Sequence, residues 1–171
     1  MIFCSDIKTN ETASCKWMDS SLHGAAFYGK IRKAEMKTLI FNGSPRKKGE
    51  TAYMIKTLQE KLGGEFKVVD AYRARISPCI DCRWCFEHAG CAVQDEWQEI
   101  LSFIEECDHI VIASPVYFEE VTGMLLAVLS RLQTYFSARY LRKEEPVPKK
   151  KTGAVLLAAG SIGPREKAES T

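Results

Sequence analysis

The chain has 171 residues, 46% of them hydrophobic and 27% charged, with a net charge of +2. Those figures fit one globular domain with its own core. The near-neutral balance argues against a nucleic-acid partner, and no apolar stretch approaches the ~20 residues that a membrane helix needs.

Residues 1–35 hold no sustained period and no motif, only two isolated cysteines, Cys4 and Cys15. They read as an N-terminal extension or an upstream start. No basic segment followed by an apolar run marks a secretory signal, so a cytoplasmic, reducing compartment is expected. There the seven cysteines point to metal or redox chemistry rather than to disulfides, since four of them fall between Cys79 and Cys91.

From Met36 the pattern becomes regular. Residues 37–42 read as a buried strand, with Leu39, Ile40 and Phe41 unbroken. Residues 43–49 are loop. Residues 51–62 read as a helix on Ile55, Leu58 and Leu62, ended by Gly63-Gly64. Residues 66–71 form a second strand, and the cysteine-rich insert, residues 77–93, follows. Asp95 is expected to cap the next helix, with Gln98 completing a capping box and Trp97, Ile100, Leu101 and Ile104 as its apolar stripe. Cys107 belongs to that apolar pattern and reads as structural. Residues 109–113 form a third strand, and 114–120 a loop. A long helix is expected over 122–139, striped by Leu125, Leu129, Leu132 and Phe136. The run Lys149-Lys150-Lys151 reads as a solvated turn before a fourth strand, residues 152–159.

The order β-α-β-α-β-α-β implies an α/β protein with a doubly wound parallel sheet. The pattern stops after the fourth strand. The expectation is therefore a domain over 36–171 that lacks the last strand and its helices, with apolar surface exposed along the fourth strand or paired with another chain.

Ligands of such sheets bind beyond the carboxyl ends of the strands, and the unusual loops all lie there. The first, Asn42-Gly43-Ser44-Pro45-Arg46, suits a phosphate. Gly43 allows a tight turn, Ser44 and Thr51 offer hydroxyls, Arg46 brings charge, and the next helix points its amides the same way. It matches neither G-x-x-x-x-G-K-S/T nor G-x-G-x-x-G, which excludes the NTPase loop and the dinucleotide fingerprint. An ordinary connector remains an equal reading of this loop alone. The third-strand loop, Ser114-Pro115-Val116-Tyr117-Phe118, offers rings for a planar ligand, though both rings could be core or interface residues, and for Phe118 alone that is the better reading. Gly160 and Ser161 follow the fourth strand.

Cys79, Cys82, Cys85 and Cys91 have the tight spacing of cluster ligands. Without a distant second pair they suit zinc less well. Reduced free thiols stay open as an alternative. His88 reads as a solvated loop residue.

Together the two flavin-like loops, with Gly49 and Thr51, resemble those of the NADPH-dependent FMN reductase family over about residues 36–163. The four cysteines resemble the compact motif of its iron–sulfur flavoprotein branch. The resemblance implies a flavodoxin-like fold and FMN with its phosphate on Ser44, Arg46 and Thr51. It places Pro115, Val116, Tyr117 and Phe118 along the ribityl chain and ring, and Gly160 and Ser161 at the other edge of the ring. It implies a [4Fe–4S] cluster on Cys79, Cys82, Cys85 and Cys91, a homodimer or homotetramer, and exchange of electrons with a ferredoxin-like partner or a small molecule. Glu50 departs from the family pattern, where Asn is frequent, and is left out of the site. No catalytic side chain is named. The competing expectations are an NAD(P)H-dependent FMN or quinone reductase with bare cysteines, NAD(P)H being a transient donor, and an inactive or thiol-sensing fragment.

Overall fold

The structure, a computed structural model, describes residues 36–160. The extension over 1–35 and Ser161 lie outside the described residues. In chain order the elements are β1 (Lys37–Asn42), α1 (Glu50–Leu62), β2 (Glu65–Asp70), α2 (Trp84–Glu87), α3 (Trp97–Glu106), β3 (His109–Pro115), α4 (Gly123–Leu129), a 3-10 turn (Ser130–Leu132), α5 (Gln133–Tyr140) and β4 (Thr152–Ala158). The strands form one parallel sheet in the order β2-β1-β3-β4. This is the start of the flavodoxin-like order 2-1-3-4-5, whose switch point lies between β1 and β3.

Burial on both faces explains why β1 is an unbroken apolar run. Leu39 and Phe41 point to a core built with Trp97, Ile100, Ile104, Val121, Leu125 and Val128. Ile40 points the other way, to Met54, Ile55, Val111, Ala113 and Leu156. Alternation with period two thus packs α1 on one face and α3 with α4 on the other. Among the described residues β4 is an edge strand. At the end of α1, Gly63 and Gly64 both take positive φ (67° and 92°), a turn that glycine makes without a Cβ penalty.

Three expectations need correction. The helix over 122–139 is not continuous: the 3-10 turn at Ser130–Leu132 divides it. Its inner face is Leu125, Val128, Arg131, Thr134 and Ser137, all buried and spaced by three. That spacing follows the three residues per turn of 3-10 geometry better than the 3.6 of an α-helix. The change of phase turns Phe136 outward, where it is 51% exposed, and leaves it tilted against Tyr140.

The capping box at Asp95 and Gln98 does not form either. The Trp97 amide donates to Asp95 Oδ1 (3.0 Å), but α3 has no side-chain cap at Glu96. Gln98 Nε2 instead donates to the carbonyls of Val93 (2.9 Å) and Cys91 (3.3 Å), holding the end of the cysteine segment.

The lysine run is more than a solvated turn. Lys151 Nζ donates to the Cys107 carbonyl (2.7 Å) just past α3, and Lys149 pairs with Asp108 (2.6 Å). Cations there complement the negative end of the helix dipole. Cys107 is fully buried, and burial pushes its thiol pKa up, which fits a packing role.

Candidate functional site

The loops after β1 and β3 are stitched together at the carboxyl rim of the sheet. The Gly43 amide donates to the Ala113 carbonyl (2.7 Å), and Thr122 Oγ1 donates to the Gly43 carbonyl (2.8 Å). Ser114 Oγ accepts the Thr122 amide (3.2 Å) and donates to the Pro115 carbonyl (2.8 Å). Val116 reaches across to the fourth strand through its amide and the Ala158 carbonyl (2.9 Å). Three neighbouring strand ends therefore share one hydrogen-bonded floor.

On that floor Ser44 is buried, and its Oγ accepts the Arg46 amide (3.2 Å). Arg46 itself is exposed. Thr51 is buried in the first turn of α1. The helix begins at Gly49 with no side-chain cap, so side chains do not occupy its leading amides. The segment after β2 is tied in through Arg73, whose Nη2 donates to the Pro45 carbonyl (2.9 Å).

Residues 117–120 form a tight turn. Tyr117 and Glu120 exchange backbone hydrogen bonds (2.8 and 3.1 Å). The two central residues, Phe118 and Glu119, both have positive φ (53° and 67°). A mirror-image turn requires this, and it normally selects Gly or Asn. Holding a phenylalanine there costs about 1–3 kcal/mol. The ring of Phe118 is 100% exposed at the tip and Tyr117 is partly exposed, so neither is a core residue. Gly160 is exposed with open space around its Cβ position.

Cys79, Cys82, Cys85 and Cys91 line a single pocket, together with Arg131, Gln133 and Thr134. Asp81 and Arg83, either side of Cys82, both adopt left-handed backbone (φ 50° and 61°) and reverse the chain around it. Ser130 Oγ accepts the Cys79 amide (2.9 Å), Cys85 Sγ lies 3.3 Å from Ser137 Oγ, and Arg142 donates to the Cys85 carbonyl. His88 is exposed and stacked on Trp84 with ring centroids 3.8 Å apart, away from a ligand role.

Arg131 anchors this segment, and reading the sequence missed it. Only 1% exposed, it donates through Nη1 to the Ser77 carbonyl (2.8 Å) and Asp95 Oδ2 (2.8 Å). Nη2 reaches the Val93 carbonyl (3.1 Å) and Asp95 Oδ1 (3.3 Å). Its guanidinium also sits 5.7 Å from the Trp97 ring. One cation thus clamps both ends of the cysteine segment. The available signal was its position: an arginine three residues after Val128 lies on the buried face of its helix.

Partial burial works to raise the Asp95 pKa. Hydrogen bonds from Arg131 and from the Ser77 and Trp97 amides outweigh it and hold the carboxyl below its usual range. The folded state therefore favours ionised Asp95. Its contribution to stability should be complete above the ordinary carboxylate pKa of about 3.9 and lost as pH falls through the lower folded value. Trp97 fluorescence and peptic cleavage within residues 77–95, measured down a pH series, should show the segment loosening only below that range. Loosening at pH 5–6 would contradict the assignment.

A four-stranded 2-1-3-4 sheet with its loops gathered at the β1/β3 switch point defines a flavodoxin-like α/β protein. Within that class the chain belongs to the NADPH-dependent FMN reductase family, whose model matches residues 36–170. It is 31% identical over 134 residues to an iron-sulfur flavoprotein of Methanocaldococcus jannaschii, covering 77% of this chain and 66% of that one. It is 28% identical over 134 residues to an iron-sulfur flavoprotein of Archaeoglobus fulgidus, covering 77% and 58%. The fold is similar to that of an NAD(P)H:quinone oxidoreductase from Methanothermobacter marburgensis, with a TM-score of 0.60 at 20% identity over 75% of this chain and 66% of that chain. The chain spans between about half and two thirds of the length of the curated relatives it matches. No helix among the described residues is long and apolar enough to cross a membrane.

Proposed function

We propose that this chain is an FMN-dependent oxidoreductase that carries a [4Fe–4S] cluster and exchanges electrons with a small-molecule or ferredoxin-like partner. The observation that carries the reading is the joining of the β1 and β3 loops through Gly43, Ala113 and Thr122, with a four-cysteine pocket on the segment that follows β2.

The residues fit FMN. A phosphate would meet the uncapped amides of α1, the Ser44 and Thr51 hydroxyls and the exposed Arg46. The close approach at Gly43 leaves backbone where a side chain would otherwise stand. Residues 115–118 and Gly160 would flank the ring. FMN supplies hydride and single-electron chemistry when bound; the chain's part is to hold, orient and shield it.

Phe118 gives this placement a test. Asn suits left-handed backbone far better than Phe. Phe118→Asn should raise stability by about 1 kcal/mol by relieving turn strain, while FMN dissociates more readily. Thermal unfolding together with an FMN titration measures both. A variant that binds FMN as tightly as the wild type would place the ring elsewhere.

The thiols also fit a cluster. All four line one pocket, at the tight spacing along the chain that cubane ligands take. Cys79, Cys82, Cys85 and Cys91 would be the ligands.

A second reading, an NAD(P)H-dependent FMN or quinone reductase with bare cysteines, is favoured by the contact between Cys85 and Ser137, which already gives one thiol a partner. Anaerobic purification followed by absorbance and by iron and sulfide analysis separates the two. Flavin bands with about four irons per chain support the first reading. Flavin without iron, bleached by NAD(P)H, supports the second. Neither chromophore would leave a thiol-sensing fragment.

A further inference from the structure

A guanidinium has five N–H donors. Four of those on Arg131 are spent on Ser77, Val93 and the two oxygens of Asp95. The fifth, on Nε, is buried without a partner. Arg131 also lines the pocket shared by Cys79, Cys82, Cys85 and Cys91. A buried donor left unpaired costs about 1–3 kcal/mol, and a cation that cannot shed its proton is costlier still to bury. Asp95 offsets that charge, but Asp95 is 13% exposed against 1% for Arg131, so solvent screens the anion more than the cation.

We propose that Arg131 sets the electron affinity of the cysteine pocket, with its Nε–H as the donor reserved for negative charge carried on sulfur there. The inference rests on the cluster reading above. Hydrogen bonds to sulfur, net local charge and burial are the levers by which a protein tunes such a cluster. A cluster that gains one electron becomes more negative by one charge. A buried cation and donor beside it stabilise that reduced form and raise the potential. Asp95 acts in the opposite sense, by neutralising part of the Arg131 charge.

The two residues therefore make opposite predictions. Arg131→Lys keeps a positive charge but removes the Nε–H, and its ammonium is expected to settle on Asp95. The one-electron equilibrium should shift about tenfold toward the oxidised form, a potential about 59 mV lower. Asp95→Asn removes the anion, leaves Arg131 less neutralised, and should shift the equilibrium toward the reduced form.

The measurement is an EPR-monitored redox titration of the full chain, purified or reconstituted anaerobically with iron and sulfide. Shifts of opposite sign support the proposal. A merely structural clamp would move both variants the same way, or neither, and either result overturns it. If Arg131→Lys fails to fold, Arg131→Gln, which lacks both the charge and the Nε–H, decides: a lowered potential supports, an unchanged or raised one overturns. A wild-type chain that takes up no iron overturns the cluster reading and this one with it. Loaded variants whose potentials both equal that of the loaded wild type overturn only the role of Arg131.

Discussion

Arg131→Met should destabilise the fold by about 3 kcal/mol, the low end of the cost of breaking a buried ion pair from one side, because Asp95 is only partly buried. Methionine matches the length of the arginine stem, so the void is small; the loss comes from the partners. Asp95 stays mostly buried without its cation, and the Ser77 and Val93 carbonyls lose their donors. Against a typical domain stability of 5–15 kcal/mol, a loss of that size is severe. The urea midpoint should fall sharply with little change in slope. Alkylation of the buried Cys85 and the half-buried Cys91 should quicken before global unfolding, because the clamp on both ends of their segment has gone, while Cys79 and Cys82 are exposed already. Adding Asp95→Asn should restore part of the loss by removing the stranded charge. The restoration stays incomplete, since Asp95 also accepts the Ser77 and Trp97 amides. An unchanged midpoint in Arg131→Met would mean that the clamp contributes little.

The contrast between β1 and α4–α5 shows what a sequence displays and what it hides. β1 is buried on both faces, so every residue from Leu39 to Phe41 must be apolar, and its bounds are legible residue by residue. The rim loops are legible for a similar reason, because Gly43, Pro115 and the two aromatics after Val116 suit few other settings. The break at Ser130–Leu132 is different. There Arg131 turns inward to meet Asp95, 36 positions earlier, and no local period encodes a partner that distant. Asp95 serves that long-range bond while still accepting the Trp97 amide at the start of α3, and the reciprocal half of the capping box is missing because Gln98 holds Val93 and Cys91 instead. Both differences lie at the two ends of one long-range ion pair, which local propensity does not encode. The cysteine spacing was plain, but the side chains that organise the pocket, Arg131, Ser130 and Ser137, sit on an element read as an ordinary amphipathic helix.

Gly43→Ala should bind FMN about 10- to 100-fold more weakly while the sheet still forms. A Cβ at this position would lie 2.8 Å from Leu125 Cδ2, 2.8 Å from Ser114 Oγ and 3.0 Å from Thr122 Oγ1. None of the three can yield cheaply. Leu125 is fully buried in the main core. Ser114 Oγ is held by the Thr122 amide and the Pro115 carbonyl, and Thr122 Oγ1 by Gly43 itself. Overpacking of this kind costs about 1–3 kcal/mol. The softest route to relief is outward movement of residues 43–46, since their outer side faces solvent while the inner side faces packed core. That movement would carry Ser44 and Arg46 away from the amides of α1 and split the phosphate site. Much of the strain then appears as lost affinity, and each 1.4 kcal/mol is a factor of ten in the dissociation constant. Riboflavin, which lacks the phosphate, should be affected far less than FMN if residues 43–46 hold that group. Equal losses for the two ligands would move the phosphate site away from this loop.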